Sequence, residues 1–269
     1  MKLYHYTSVE TLFKMLRKSI KKDDDTGVKY LELWAFQASN MPDKNEYRLF
    51  TDKLKEKLNE YAQKENHTLS AKELEALEKL CQCHLYTISF TDKYESQYMW
   101  THYGDNHAGI CIEFDLDAIP PFYCSKDGYL VMEDTYNSML TRCKYVQPEC
   151  LEIGEDLITD VYQYIISCGN GDVIKDAAIL ARLENTAIAY KTTNFSQESE
   201  FRFVLGCIKS EDHLKRSIPI SAITSITLGS SIKDDEENKL ITQKILETLE
   251  NSVKVRISES LVANSFLHY

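Results

Sequence analysis

Acidic and basic side chains alternate in the segment Glu198-Ser-Glu200-Phe-Arg202. In a β-strand, alternate side chains point to the same face, so Glu200 and Arg202 share one face and Phe201 lies on the other. A carboxylate held there could bind a ribose hydroxyl and stabilise the positive charge that develops at an anomeric carbon during glycosyl transfer. Arg202 could hold that carboxylate in place or bind a phosphate. An ordinary cross-strand ion pair on the sheet surface is the alternative.

A histidine in the opening segment Leu3-Tyr-His5-Tyr6-Thr7 is a second candidate. Imidazole offers a donor and an acceptor at neutral pH, so His5 could bind ribose hydroxyls. Thr7-Ser-Val-Glu10 matches a capping box and predicts that a helix follows, which places His5 just before a strand-to-helix turn. The alternative is a half-buried strand histidine that is bonded to the backbone.

Aromatic and hydroxyl side chains lie between these two segments, in Ser89-Phe-Thr91 and in Tyr98-Met-Trp100-Thr-His-Tyr103. Aromatic faces stack on flat heterocycles, and hydroxyls can fix an attached sugar. Trp100 and Tyr103 are three residues apart and would share a face of a helical turn. Plain core packing is the alternative. With the two flanking segments, this pattern predicts a nucleotide-binding cleft built from separate strands of one sheet.

The composition restricts the possible classes of function. A formal net charge of -11 argues against general binding of DNA or RNA, because non-specific binding requires a basic surface. It leaves room for a small basic pocket that binds one nucleotide. The sequence shows neither a signal peptide nor an apolar run long enough to cross a membrane. We therefore expect a cytoplasmic protein whose eight cysteines are reduced thiols and which has no membrane partner.

The segment Cys81-Gln-Cys83-His84 contains residue types that bind metals. Its spacing does not fit a zinc knuckle, and no second ligand pair follows at a suitable distance. We therefore expect no metal site.

Hydrophobic periodicity predicts strands interleaved with helices, without a regular βαβ order and without a glycine-rich phosphate loop. His107-Ala-Gly109, just before one of the strands, indicates a close approach of two backbone segments. The pattern favours a single α+β domain over residues 1–269, with a helical-hairpin insertion at about 47–81. Strands are predicted at 3–6, 29–36, 84–90, 109–115, 142–146, 200–208, 223–228 and 253–258, and helices in two pieces over 47–81 and at 155–167, 172–190 and 240–249.

The chain resembles the bacterial domain-of-unknown-function family 2971 from residue 3 to about residue 230. The block from Trp100 through Tyr103, His107 and Gly109 to Glu-Phe-Asp115 is the most specific part. The sequence departs from the family pattern at Phe195, where a tryptophan is common, and in a looser turn at 40–43. The other matching motifs are Leu-Tyr-His5-Tyr-Thr-Ser8 with Leu12, Asn40-Met-Pro-Asp43 with Glu46, Ser89-Phe-Thr91 and Glu198-Ser-Glu-Phe-Arg202.

The order of these motifs also resembles that of ADP-ribosyltransferases. That resemblance implies a split, curved, mostly antiparallel sheet flanked by helices, and NAD as the substrate. It implies that His5 binds the NAD ribose and that Tyr103 or Trp100 stacks near nicotinamide. Glu200 would be the catalytic acid, and Glu198 would orient or activate the acceptor. The further residues expected to bind NAD are Tyr6, Thr7, Ser89 and Arg202.

These observations predict an NAD-dependent ADP-ribosyltransferase-like enzyme, acting on an unknown acceptor macromolecule in a bacterial defence system, such as phage defence, or in a toxin system. A non-catalytic module that binds a nucleotide or a partner with the same cleft is an alternative. A hydrolase of another nucleotide or glycosidic substrate is a third possibility. All three require a hydroxyl-binding cleft with an acid.

Overall fold

The elements that position the candidate residues are seen in a computed structural model. The model describes residues 1–18, 20–38, 45–81, 85–119, 124–126, 129–131, 139–167, 179, 182–206, 213–232, 235–249 and 253–259. Its helices are α1 (Val9–Lys18), α2 (Asn45–Lys64), α3 (Ala71–Leu80), α4 (Gln97–His102), α5 (Glu155–Ser167) and α6 (Asp235–Thr248).

The predicted strands occur in the predicted order along the chain, but the structure adds short strands and the seven-residue strand His213–Pro219, which the sequence did not predict. They are β1 (Lys2–Thr7), β2 (Ile20–Lys22), β3 (Lys29–Gln37), β4 (Leu85–Thr91), β5 (Ile110–Asp115), β6 (Cys124–Lys126), β7 (Tyr129–Val131), β8 (Met139–Arg142), β9 (Lys144–Val146), β10 (Tyr190–Thr192), β11 (Glu200–Gly206), β12 (His213–Pro219), β13 (Ile223–Leu228) and β14 (Lys254–Ile257).

Most of these strands form one mixed sheet, in the order β14–β13–β5–β1–β4–β3–β12–β6–β7. Strand β11 pairs with β4 and β8, and β2 pairs with β3. The β13–β14 and β9–β10 pairs are parallel, whereas β1, β4, β5 and β11 pair in an antiparallel manner. Strand β4 pairs with β11 along its whole length, but it meets β1 only at Thr91 and β3 only at Thr87 and Tyr86. The predicted α+β class with a mostly antiparallel sheet flanked by helices is confirmed.

One face of this sheet, here called the core face, is apolar. It carries Leu3, Phe90, Ile112 and Phe203, which are buried in a single hydrophobic cluster. Helices α1 and α6 contribute to the same cluster. Each such side chain contributes about 1.5–3 kcal/mol when it is fully buried, so this face accounts for much of the stability of the sheet.

The opposite face, here called the polar face, carries the charged residues. Tyr4 lies opposite Thr91 in the strand register, and Thr91 lies opposite Glu200. Directly opposed residues share a face, so these side chains form a row across β1, β4 and β11. Helix α4 covers part of this face, where Trp100 and Met99 pack on Tyr6.

Helices α2, α3 and α5 form a second hydrophobic cluster, which also includes Leu85 and Val204 of the sheet. Ser70 caps α3 in a capping box, as its sequence predicts. The two predicted helical pieces within 47–81 are confirmed. That they form an insertion in a single domain stays a prediction. The helix predicted at 172–190 lies mostly outside the described residues, although residues 182–187 are helical.

The single strand predicted at 142–146 is wrong. Strand β8 ends at Arg142 and β9 begins at Lys144, and the two strands pair in different sheets. The N–H of Cys143 still donates to the carbonyl of Glu200, at 2.9 Å, but the N–H of Lys144 donates to the carbonyl of Ala189, at 2.7 Å. The chain therefore changes its hydrogen-bond partner at residue 143. The residue types alone do not reveal such a change.

Candidate ligand-binding site

The sequence Glu200-Phe-Arg202-Phe places its charges and its aromatic rings on opposite faces of β11. Glu200 and Arg202 lie on the polar face and are almost completely buried, at 4% and 2% exposure. The register places Arg202 opposite Ser89 of β4 and Phe203 opposite Ile88. The predicted alternation is confirmed, but the charged pair is buried and is not a surface ion pair.

Both carboxylate oxygens of Glu200 accept hydrogen bonds from cations. Arg202 binds in a bidentate manner, with Nε at 2.9 Å from Oε1 and Nη2 at 3.0 Å from Oε2. Lys191 Nζ lies 2.8 Å from Oε2, and Cys143 Sγ lies 3.7 Å from the same oxygen. Burial alone would raise the pKa of Glu200, but the charges and hydrogen bonds of Arg202 and Lys191 lower that pKa to about 2. Glu200 is therefore a carboxylate at neutral pH.

Glu198 extends this arrangement towards the surface. Its Oε2 accepts a hydrogen bond from Lys191 Nζ, and its Oε1 accepts one from the hydroxyl of Tyr103, both at 2.5 Å. Glu198 and Lys191 are each 3% exposed, whereas Tyr103 is 44% exposed. We call Lys191, Glu198, Glu200 and Arg202 the buried charge cluster; its two cations and two anions sum to zero formal charge.

Local backbone structure fixes the two acids. Residues Thr193–Glu198 form a 3-10 turn, and the following Ser199 adopts a left-handed conformation with φ of 46°. The hydroxyl of Thr91 donates to the carbonyl of Glu198 at 2.5 Å, and the N–H of Glu200 donates to the hydroxyl of Tyr145 at 2.7 Å. The acids are thus held from three strands, as expected for a preorganised site.

Tyr103 owes its position to the tight connection between α4 and β5. Asp105, Asn106 and His107 all have positive φ, at 51°, 48° and 65°. A Cβ on Gly109 would lie 2.4 Å from the carbonyl oxygen of Thr7, and one on Gly229 would lie 2.1 Å from the carbonyl oxygen of His107. The close backbone approach predicted around His107-Ala-Gly109 is confirmed.

Two further aromatic residues of the predicted cleft, Tyr6 and Trp100, are buried in this region. Trp100 is fully buried, and its ring meets Tyr6 edge to face at 5.0 Å. The Tyr6 hydroxyl donates to the carbonyl of Lys93 at 3.0 Å, and Trp100 Nε1 donates to Glu95 at 3.3 Å. Tyr6 and Trp100 therefore pack in the interior, and of the two predicted stacking residues only Tyr103 has an exposed ring.

The structure does not bring His5 to Glu200. His5 lies on the core face, 5.8 Å from the ring of Phe90, and its Nδ1 donates to the carbonyl of Ser89 at 2.9 Å. Desolvation lowers the pKa of His5, which favours the neutral ring. His5 is the half-buried, backbone-bonded histidine that the sequence offered as an alternative. Thr7 is half-buried and pairs with Ile110.

Sequence reasoning missed Lys191, Cys143 and Tyr145. Lys191 is the central cation, because it binds both acids. Its only signal is that the lysine directly follows the apolar run Ala187-Ile-Ala-Tyr190, shortly before the acidic motif. Cys143 and Tyr145 carry no sequence signal that would separate them from ordinary strand residues.

A metal site can be sought only among the residues that the structure describes. Among them, no group of three His, Cys, Asp or Glu side chains is placed to hold a metal ion. Cys81 is half-buried there, while Cys83 and His84 lie outside the described residues. The same residues contain no helix long and apolar enough to span a membrane.

Fold and site together define an α+β protein with an exposed tyrosine above a buried, neutral charge cluster. Residues 99–203 match the family model described as "Protein of unknown function (DUF2971)". This segment contains Tyr103, Lys191, Glu198 and Glu200, and the match supports the predicted resemblance to this family over these residues. No curated protein and no solved structure matches the chain.

Proposed function

We propose that the protein binds a planar, hydroxylated small molecule of the nucleotide class at a surface formed by Tyr98, His102 and Tyr103, called here the tyrosine surface. Tyr98 and His102 stack on each other at 4.1 Å with an interplanar angle of 22°. His102 is exposed, and Tyr103 presents 44% of its area. Exposed aromatic rings bind bases by stacking, and this mode of binding tolerates any planar ring.

The bond from Tyr103 to Glu198 is the observation that carries this proposal. It ties an exposed ring to a buried charge cluster in which both acids are already bound by cations. Glu198 and Glu200 each accept hydrogen bonds on both carboxylate oxygens, and their side chains are only 4–5% exposed. Such carboxylates are suited to hold neighbouring groups in place. The acids thus support the tyrosine surface, and the ligand contacts the rings.

Calorimetric titration with NAD, ATP and adenosine tests this proposal. Replacing Tyr103 by Ala removes a stacking ring that contributes about 1–3 kcal/mol, so the affinity should fall about fivefold or more. Replacing it by Phe keeps the ring and removes only the bond to Glu198, so the loss should be smaller. Trp34→Ala is the matched control, because Trp34 is 45% exposed and lies on β3. If none of the three ligands binds, or if Trp34→Ala weakens binding as much as Tyr103→Ala, the proposal is wrong.

Cleavage of NAD by an ADP-ribosyltransferase-like mechanism is a second candidate. It is favoured by one observation: Glu198 contacts the exposed Tyr103, and Glu200 lies beside it in the same cluster. In this case the purified protein would release nicotinamide from NAD, and a macromolecule in cell lysate would gain the mass of ADP-ribose. Glu200→Gln and Glu198→Gln would each abolish release while NAD still bound. Binding without release would leave the first proposal as the better account.

A further inference from the structure

A second group of charged and aromatic residues lies at another part of the polar face. It consists of Lys2 and Tyr4 of β1, Glu113 of β5, Arg256 of β14 and Tyr94, which follows β4; we call it the Glu113 cluster. The register places Tyr4 opposite Glu113, and Glu113 opposite Ser225 of β13. Arg256 of β14 pairs with Thr227 of β13. The buried charge cluster is built on different strands, β10 and β11.

The acid of this cluster is buried beneath its cations. The side chain of Glu113 is 6% exposed, and Lys2 Nζ lies 2.7 Å from its Oε1. The hydroxyl of Thr224 donates to the same oxygen. Burial would raise the pKa of Glu113, but the hydrogen bonds of Lys2 and Thr224 and the charges of Lys2 and Arg256 lower it. The acceptor is therefore already occupied from within the protein.

The cations of the cluster point outward. The Lys2 side chain is 55% exposed, and Arg256 is exposed. The hydroxyl of Tyr94 raises the pKa of Arg256, as does the charge of Glu113, and the charge of Arg256 in turn lowers the pKa of Glu113. The register also places Asp115 opposite Lys2 and Lys254 beside Ser225, so three cations and two anions leave a formal charge of +1 here, in a chain whose net charge is -11. A surface whose cations are exposed and whose central acid is buried and already bound complements a ligand group that only accepts hydrogen bonds.

Aromatic rings lie beside these donors. Tyr4 and Tyr94 are 5.2 Å apart with an interplanar angle of 34°, and Tyr94 is 39% exposed. The hydroxyl of Ser225, next to Glu113 in the register, is buried and has no hydrogen-bond partner among the described residues. A buried hydroxyl without a partner is uncommon, because leaving it unpaired costs about 1–3 kcal/mol.

We propose that the Glu113 cluster binds the phosphoryl group of a phosphorylated planar molecule, with AMP as its simplest probe. Arg256 and Lys2 hold the phosphate oxygens, and Tyr94 stacks against the ring. Guanidinium groups suit phosphate because their N–H groups form a planar fork. This site shares no residue with the tyrosine surface, and the inference does not depend on whether that surface binds a ligand.

Calorimetric titration with AMP, inorganic phosphate and adenosine tests the inference, in the full chain and in the Tyr103→Ala variant. The variant weakens binding at the tyrosine surface, so that the contribution of the Glu113 cluster can be measured above it. In it, AMP should bind more tightly than phosphate, and adenosine should bind more weakly than both. Raising the NaCl concentration from about 0.05 M to about 0.3 M should weaken both interactions, since exposed charges are screened.

Arg256→Gln should weaken the binding of AMP and of phosphate at least tenfold, with an unchanged circular dichroism spectrum. Arg182→Gln is the matched control: it removes the same charge from an exposed pair with Asp156 and Asp160 and should leave both affinities unchanged. Tyr94→Ala should weaken AMP more than phosphate. Absence of binding by AMP and phosphate, equal binding by adenosine, or full affinity in Arg256→Gln would each overturn the inference.

Discussion

The buried charge cluster and the Glu113 cluster on the polar face differ in the exposure of their cations. In the buried charge cluster, the cations and the anions are all buried, and the formal charges cancel. In the Glu113 cluster, the anion is buried but Lys2 and Arg256 face solvent. Burying an ion pair costs desolvation energy that only good geometry offsets, whereas an exposed cation keeps its hydration and can exchange partners. The first group is therefore suited to hold structure and the second to bind a ligand.

Breaking the buried charge cluster should have the largest effect on stability. Arg202→Met leaves Glu200 buried with one cation, and the loss of a partner from a buried pair costs about 3–5 kcal/mol. The free energy of unfolding, measured in urea, should fall by that amount. Arg182→Met, which breaks an exposed pair, should cost about 0–1 kcal/mol. Similar losses in the two variants would contradict the contrast between buried and exposed pairs.

The pH dependence of the free energy of unfolding should reveal the contribution of Glu200 in the buried charge cluster. The pKa of Glu200 is about 2 in the folded protein, whereas that of an unperturbed glutamate is 4.5. The stability that Glu200 contributes is present above pH 4.5 and is lost as the pH falls towards 2, because the unfolded chain binds the proton first. Urea unfolding at intervals from pH 5 to pH 3 should therefore show a steeper loss in the wild type than in Glu200→Gln. Parallel curves would exclude a strongly depressed pKa.

In the Glu113 cluster, loss of the acid should increase ligand affinity and should cost little stability. Glu113→Gln removes the carboxylate that engages Lys2, so the affinity for phosphate should rise by a few-fold at low salt. The cost in stability should be smaller than that of Arg202→Met, at about 1 kcal/mol, because Lys2 is exposed. Calorimetry and urea unfolding of the same sample measure both effects. Weaker phosphate binding in this variant would mean that Glu113 itself contacts the ligand.

Local patterns predicted the elements well, and the pairing of distant groups poorly. Alternation predicted the faces of β11, and the capping-box pattern predicted the start of α3. The same alternation does not say which face of β1 meets which face of β11, and so His5 and Glu200 were expected in one cleft. They lie on opposite faces, because β4 connects Tyr4, and not His5, with Glu200. Register is a long-range property that no short segment encodes.

Burial was the other property that the sequence did not reveal. Trp100 and Tyr103 share one motif, yet Trp100 is fully buried and Tyr103 is 44% exposed. Lys191 is buried only because two acids from the following turn and strand neutralise it. A lysine without such partners is normally exposed, so its type alone predicts the wrong environment. The neutral cluster becomes evident only when β10 and β11 are seen together.

The most direct test of the structural role of the acids is to measure Glu200→Gln in two ways on one sample. The free energy of unfolding should fall, since Arg202 and Lys191 lose a charged partner. Folded molecules of the variant should still bind NAD at the tyrosine surface with nearly unchanged affinity. They should release no nicotinamide above the wild-type rate. A variant with wild-type stability that no longer processes or binds NAD would contradict the account. It would make Glu200 a ligand-facing, catalytic acid.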